Sequence, residues 1–154
     1  KFSTLNEFPW VALIITDQEF YESGALVSRK HVITSGSTVS FLDQATKKYV
    51  KVDLSRMKIH LGALQESNSR QVFDPVEIVN HPQLIRVDEA PVNNVAVITL
   101  DRRVEFDEFI RPVCLWTSGD DLSLIANSPI YVVGYGRDNS TGLKYWLIKV
   151  TLFY

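Results

Sequence analysis

The sequence predicts an all-β fold, an antiparallel barrel or sandwich, and three observations support this. Short apolar runs rich in Val, Ile and aromatic residues recur along the 154 residues, separated by turn-forming residues. Several runs alternate apolar and polar side chains, as strands with one buried face do. No long helical pattern lies between them. Strands at this spacing are typical of barrels and sandwiches.

The strands can be placed in order along the chain. Residues 9–15 form the first, and residues 24–28 and 31–35 form a hairpin because only two residues separate them. In residues 37–42 we expect a single helical turn. The further predicted strands are residues 49–52, 57–61, 76–79, 95–100, 130–133 and 145–154. The predicted loops are residues 41–48, 62–71, 80–94, 101–111, 117–129 and 134–142.

The last predicted strand, residues 145–154, is rich in apolar side chains. Such a strand needs neighbours for its backbone groups and cover for its side chains. No further strand follows it in this sequence. We therefore expect that another polypeptide supplies the rest, or that the chain is a piece of a larger domain.

Composition excludes several classes of protein. With 16 Lys and Arg against 18 Asp and Glu, the net charge is −2, which gives no electrostatic reason to expect a nucleic acid or an anionic membrane as partner. No apolar run reaches the roughly 18 residues that a membrane span needs. The single cysteine excludes an internal disulfide and a multi-cysteine metal site. We predict no metal and no cofactor.

Short motifs along the whole chain resemble those of the chymotrypsin/trypsin-like serine proteases. Residues 7–10, EFPW, resemble the start of that family's first strand, and residues 23–28 resemble its GGSLI hairpin. Residues 31–39 match its WVLTAAHCV segment in length and apolar pattern, and residues 93–100 match NDIALLKL. Further similar segments are residues 59–62, 81–82, 111–115 and 133–136. All of them follow the family's order.

The resemblance implies a chymotrypsin-like antiparallel β-barrel, with the first barrel complete and the second only begun. Residues 1–116 would form the first barrel of a trypsin-like domain. Residues 117–154 would form the linker and the first strands of the second barrel, truncated or completed by another chain. It also implies a secreted, extracellular protein.

The resemblance places two residues at catalytic-triad positions that lack the triad's chemistry. Ser37 stands where the family has its general-base histidine, and Asn94 where an aspartate orients that histidine. The family's GDSGG string, which carries the nucleophile, does not occur in this sequence. A serine hydroxyl does not accept a proton near neutral pH, and a neutral amide does not stabilise an imidazolium. We predict no catalytic residue and no protease activity.

The histidines offer no replacement for the missing base. His31 occupies the family's tryptophan position on a strand, so its side chain is expected to point away from the catalytic cleft. His60 and His81 are expected to be ordinary surface or turn residues. Ser35, Ser37 and Ser40 have no Asp–His pair beside them in the sequence.

The resemblance also assigns roles to cysteine positions. Glu22 and Thr38 occupy the two positions of one family disulfide, which has therefore been lost as a pair. Cys114 matches a cysteine that often bonds the propeptide or light chain, which implies an interchain disulfide in an oxidising compartment. The alternative is a free, partly buried thiol.

Two loop features remain open. Asn139 begins an N-x-T sequon that is suitable for N-glycosylation of a secreted protein, and the alternative is an unmodified polar turn. Residues 62–80 occupy the place of a loop that binds calcium in some relatives. Glu66 and Glu77 do not specify the six to eight oxygen ligands that calcium takes, so no metal site is predicted there.

The predicted function is that of a secreted, non-catalytic serine protease homologue that acts by binding protein. It would be a cofactor or regulator in an extracellular proteolytic cascade of immunity, coagulation or development, as similar invertebrate chains are. Two alternatives stay open: a fragment of a cleaved or multidomain trypsin-like endopeptidase whose remainder lies on another chain, and a structural or salivary binding protein. The partner is another polypeptide: a prodomain, the remaining half of the protease domain, or a cascade protease.

Overall fold

The computed structural model describes residues 3–4, 6–16, 21–117, 119, 128–136 and 146–153, and they are mostly strands. The strands are β1 Val11–Thr16, β2 Tyr21–Leu26, β3 His31–Thr34, β4 Ser40–Leu42, β5 Tyr49–Lys51, β6 Met57–Leu61, β7 Gln71–Phe73, β8 Pro75–Asn80, β9 Ile85–Val87, β10 Ala90–Val92, β11 Ala96–Leu100, β12 Pro129–Gly136 and β13 Trp146–Phe153. Two single 3-10 turns, Leu54–Arg56 and Glu66–Asn68, flank β6. The predicted all-β class is confirmed.

Seven strands form one curled antiparallel sheet in the order β7-β6-β1-β2-β3-β11-β8. Its two outer strands, β7 and β8, are consecutive in the chain and are joined by Asp74 alone. The sheet must therefore curve until its two edges meet at that residue. Asp74 and Asp101 fix the junction, since the Asp101 N–H donates to the Asp74 carbonyl over 2.9 Å and the Asp74 N–H donates to the Asp101 carboxylate over 3.2 Å. This curvature is that of an antiparallel barrel.

Strand β1 is apolar on both faces because a separate cluster covers each face. Ala12 and Ile14 point into the core enclosed by the curled sheet. Val11 and Leu13 point to the opposite side, into a second cluster completed by β12 and β13. The members of that second cluster are Phe8, Val11, Leu13, Tyr135 and Leu147. Because successive side chains of β1 point to opposite faces, the strand packs into the core of the seven-stranded sheet on one face and against β12 and β13 on the other.

Hydrogen bonds also join the β12–β13 pair to the sheet. The Tyr135 hydroxyl donates to the Ala63 carbonyl over 2.7 Å, and the Leu147 N–H donates to the Leu64 carbonyl over 3.0 Å. Burial raises the pKa of Tyr135 above its ordinary value of 10.0, so the phenol stays a donor. At the other end, Lys149 forms an ion pair with Glu7 and holds the N-terminal segment against β13.

The structure confirms the predicted β2–β3 hairpin and corrects other local predictions. The helical turn expected in residues 37–42 is wrong. Residues 36–38 make one turn, and residues 40–42 are strand β4, paired with β5. Strand β5 lies within the strand predicted at residues 49–52, whereas the three residues of β4 are too few to show a period.

The loop predicted at residues 80–94 contains two further strands, and the loop predicted at residues 62–71 ends on the first residue of another. Strand β7 begins at Gln71, and β9 and β10 form a tight hairpin. The two turn residues of that hairpin, Asp88 and Glu89, have φ of 46° and 71°. Such turns favour Asn or Gly at these positions. Because the sequence has Asp and Glu there, the hairpin was not predicted.

His60 is buried, which corrects its prediction as an ordinary surface or turn residue. Only 8% of its surface is exposed, because the turn over residues 66–69 covers it. Its Nδ1 lies 2.7 Å from the Ser69 hydroxyl oxygen. Burial lowers the pKa of His60 below its ordinary value of 6.5, and this outweighs the opposing charge of Glu66.

Stability is expected to fall as the pH drops below about 6.5, because the unfolded chain then binds a proton that the folded His60 resists. His60→Gln is expected to flatten the dependence of the melting temperature on pH between about 5 and 7.5. The control is His31→Gln, since His31 is exposed. An unchanged slope in His60→Gln would contradict the assignment. Four carboxylates also have lowered pKa values, and they affect stability only at lower pH, where they become protonated. They are Glu7, Asp43, Asp53 and Asp101.

Candidate functional site

Ser37 and Asn94 are in direct contact. Ser37 lies in the turn that follows β3, and Asn94 lies two residues before β11. These two strands pair, with Thr34 opposite Ala96, so their ends deliver the two side chains to one place. The Asn94 amide nitrogen donates to the Ser37 hydroxyl oxygen over 3.0 Å, and the Ser37 N–H donates to the Asn94 Oδ1 over 2.8 Å.

This contact is a neutral, reciprocal hydrogen-bonded pair. The Ser37 hydroxyl is exposed and also lies 3.5 Å from the Ser35 hydroxyl, which in turn lies 2.6 Å from that of Thr38. None of these four side chains takes up a proton near neutral pH. The arrangement can donate and accept hydrogen bonds, but these groups supply no general base.

The connection between β8 and β9 packs against the same turn. A Cβ at Gly36 would lie 2.7 Å from Cδ2 of Leu84, so the Leu84 side chain would have to move to accommodate a larger residue there. The Leu84 N–H donates to the His81 carbonyl over 3.0 Å, and the Gln83 N–H donates to the His81 Nδ1 over 3.2 Å. His81 therefore shapes this connection, as its predicted turn role requires.

A pocket of about 480 Å³ opens beside Ser37, and we call it the β2–β4 pocket. Glu22 on β2 and Thr38 after β3 both line it, so the two positions that the resemblance assigns to a lost disulfide border one cavity. The lining residues are Ile14, Thr16, Glu22, Ser37, Thr38, Ser40, Phe41, Val52, Asp53 and Arg56. Sequence reasoning missed this pocket, although the paired replacement of Glu22 and Thr38 was a signal for it.

The two carboxylates of the pocket differ in their surroundings. Asp53 caps the 3-10 turn at residues 54–56 and accepts hydrogen bonds from the Ser55 hydroxyl over 2.8 Å and the Ser55 N–H over 3.0 Å. These bonds, with a smaller contribution from the charge of Arg56, lower the pKa of Asp53. Glu22 is exposed, and its carboxylate makes no ion pair or hydrogen bond with the residues that the structure describes.

Cys114 is exposed and forms no disulfide within the described residues. The Val113 N–H before it donates to the Leu26 carbonyl over 2.9 Å, which fixes the backbone against β2. Leu115 and Trp116 after it are 60% and 50% exposed. The thiol therefore lies on a surface where two large apolar side chains face solvent.

The other predicted site positions are dispersed. Asn139 lies outside the described residues. His31 is exposed, with its Nδ1 2.8 Å from the Ser28 hydroxyl. Within the described ranges, no three His, Cys, Asp or Glu side chains gather closely enough to hold a metal ion. Nor does any described helix have the length and apolarity that crossing a membrane requires.

Comparison with known proteins gives a family and several insect relatives. The family model described as Trypsin matches residues 2–153. Phenoloxidase-activating factor 1 of Holotrichia diomphalia is 26% identical over 96% of this chain and 43% of its own length. Serine protease ea of Drosophila melanogaster is 29% identical over 72% of this chain and 32% of its length. Melanization protease 1 of the same insect is 26% identical over 88% of this chain and 37% of its length.

The chain therefore spans less than half the length of each of these relatives. The match to the family model runs through almost all of its residues, and the curled antiparallel sheet agrees with it. This chain belongs to the trypsin family.

Proposed function

We propose that this chain is a secreted, non-catalytic member of the trypsin family that acts by binding another protein. The observation that carries the proposal is the contact between Ser37 and Asn94. The residues that the resemblance aligns with the catalytic histidine and aspartate meet in space, and neither has the required chemistry. A site that keeps the framework and lacks the base is suited to recognition.

The proposed role is that of a cofactor or regulator in an extracellular proteolytic cascade. The names of two relatives support it, since one is a phenoloxidase-activating factor and another a melanization protease. In this proposal, residues 1–116 form the first barrel, and residues 117–154 form a linker and the first strands of a second barrel. N-glycosylation at Asn139 and an interchain disulfide through Cys114 belong to the same extracellular proposal.

A second candidate is a fragment of a trypsin-like endopeptidase whose remainder lies on another chain. One observation favours it: β12 and β13 carry apolar side chains that are about half exposed. These are Tyr131, Val132, Val150 and Leu152. Further strands packed there would cover them. An active endopeptidase would then need another group as its general base, because Ser37 and Asn94 stand at the positions of the catalytic histidine and aspartate.

A fluorophosphonate reagent separates the two candidates, because it labels a serine only where a base activates it. The natural protein is expected to show no label, after peptide mapping, on any serine of this chain or of a polypeptide that completes its second barrel. Active trypsin treated in the same way is the positive control. Stoichiometric labelling of a serine in either place would overturn the non-catalytic function and favour the endopeptidase fragment.

A further inference from the structure

Two basic residues stand side by side at three places in the sequence. The pairs are Arg29-Lys30, Lys47-Lys48 and Arg102-Arg103. A trypsin-type protease hydrolyses the peptide bond that follows Lys or Arg. It cuts a folded protein where that bond lies in an exposed loop, or where the segment opens locally. The surroundings of the three pairs decide which of them meets this condition.

The pair Arg29-Lys30 is held by residues far along the chain. The Arg29 carbonyl accepts a hydrogen bond from the Val104 N–H over 2.8 Å, and its guanidinium donates to the Val104 carbonyl over 2.9 Å. The same guanidinium lies over the Phe106 ring, 4.1 Å from its centroid. The Lys30 carbonyl accepts from the Leu100 N–H over 2.8 Å. Freeing this pair would therefore open the barrel itself.

The pair Arg102-Arg103 is held in a similar way. The Arg102 guanidinium donates to the Val72 carbonyl over 2.6 Å and lies over the Phe73 ring, 4.4 Å from its centroid. Val72 and Phe73 belong to β7. Val104, which directly follows the pair, has 0% of its surface exposed. Placing this segment in a protease active site would pull Val104 out of the core.

The pair Lys47-Lys48 lies in the loop between β4 and β5, where the contacts are local. Residues 44–48 are all exposed. Among the described residues, their hydrogen bonds run to Asp43 or stay within the loop. Lys47 has a φ of 55°, in the left-handed region that a lysine rarely adopts. Opening this loop breaks no contact with a distant part of the chain.

The hairpin that carries this loop is small. Strands β4 and β5 form a two-stranded sheet of their own, with three residue pairs. Its facing apolar residues Phe41 and Val50 are 56% and 41% exposed. A hairpin that buries so little apolar surface opens at low cost. At its base the Val52 N–H donates to the Val39 carbonyl over 3.0 Å, so the opening can stop there.

We propose that the loop at residues 44–48 is a proteolytic processing site, where a trypsin-type serine protease hydrolyses the peptide bond after Lys47 or Lys48. The C–N bond breaks, and water supplies a hydroxyl to the lysine carbonyl carbon and a proton to the released amine. The inference rests on the proposed function for the class of protease, because a proteolytic cascade brings such enzymes to this chain.

The two products are expected to stay together after the cut. Strand β1 pairs with β6, and β3 pairs with β11, so strands from both sides of the loop share one sheet. The core enclosed by the sheet also draws its residues from both sides. Phe41 and Val52 line the β2–β4 pocket. Cleavage would therefore change the surface beside Ser37 and leave the barrel assembled.

The test is limited proteolysis of the full-length recombinant protein by a trace of trypsin, with the initial rate of cleavage at each bond measured by peptide mapping. The bonds after Lys47 and Lys48 are expected to be cut at least about tenfold faster than those of the other two basic pairs, because local opening is more populated than global opening. The fragments should co-elute in native size-exclusion chromatography and separate under reducing, denaturing conditions.

The double variant Lys47→Gln with Lys48→Gln is expected to lose the early cut. Lys51→Gln is the matched control, because Lys51 is an exposed lysine of the same hairpin that lies inside β5. It should leave the early cut in place. Arg86 is the competing site, since it also lies in an exposed hairpin, although Glu89 holds its guanidinium over 3.1 Å. A faster cut after Arg86, or equal rates at the three basic pairs, would overturn the proposal.

Mapping of N-termini in the natural protein separates processing from mere accessibility. A free N-terminus at Lys48 or Tyr49 is expected in part of the molecules. Natural protein that is never cut there would overturn the processing site, even if trypsin cuts the loop. The fluorophosphonate result is independent: an unlabelled protein that is uncut at the loop loses the processing site alone, and a labelled protein that is cut there loses the non-catalytic function alone.

Discussion

Leu13→Ala is expected to lower the free energy of unfolding by about 3 kcal/mol, the middle of the range for buried leucines. Leu13 has 0% of its surface exposed and lies in the cluster with Tyr135 and Leu147. It faces away from the core enclosed by the sheet, so the cavity would open between β1 and the β12–β13 pair. Urea unfolding measures the loss.

The control for this change is Leu115→Ala. Leu115 is 60% exposed, so the same truncation there should change stability by less than about 0.5 kcal/mol. Equal losses in the two variants would show that Leu13 is not the link between the sheet and the last two strands. Leu13→Ala is also expected to make the amide protons of β12 and β13 exchange faster than those of β6, since the cavity lies beside the former pair.

Much of the barrel is predictable because its strands are long enough to show a pattern. The β2–β3 hairpin, β6 and β11 follow from apolar periodicity and short connections. Of the three-residue strands, β5 lies within the strand predicted at residues 49–52, but β4 and β7 show no period that could be detected. The barrel closes at Asp74 through a bend between β7 and β8, and no pattern of residues in the sequence around Asp74 predicts that bend.

The site divides in the same way. The positions of Ser37 and Asn94 could be predicted, because each lies in a motif that aligns separately with the family, residues 31–39 and 93–100. The pairing of β3 with β11 then brings the two side chains together. Two other features, one in the fold and one in the site, could not be predicted from the sequence. The burial of His60 depends on a turn nine residues further on, and the β2–β4 pocket depends on side chains from four separate segments of the chain. Contacts between distant segments carry no local signature.

Under the proposed interchain disulfide through Cys114, the protein isolated from its natural source is expected to lose mass when it is reduced. The thiol is exposed, and the hydrogen bond from Val113 to Leu26 holds it at a fixed place on the surface. The exposed Leu115 and Trp116 beside it are apolar surface that a partner segment would cover. An oxidising extracellular compartment would preserve the bond.

The measurement is intact mass before and after reduction, with glycans first removed enzymatically so that a sugar on Asn139 does not obscure the difference. Cys114→Ser is expected to give the same mass in both conditions and to release the partner under denaturing conditions. Ser28→Ala, an exchange of similar size on the same barrel, should leave the link intact. Identical masses for the natural protein in both conditions, together with one titratable thiol, would show that Cys114 is free. The proposed partner would then have to be held by non-covalent contacts alone, and the exposed apolar pair at residues 115–116 would be the first place to look for them.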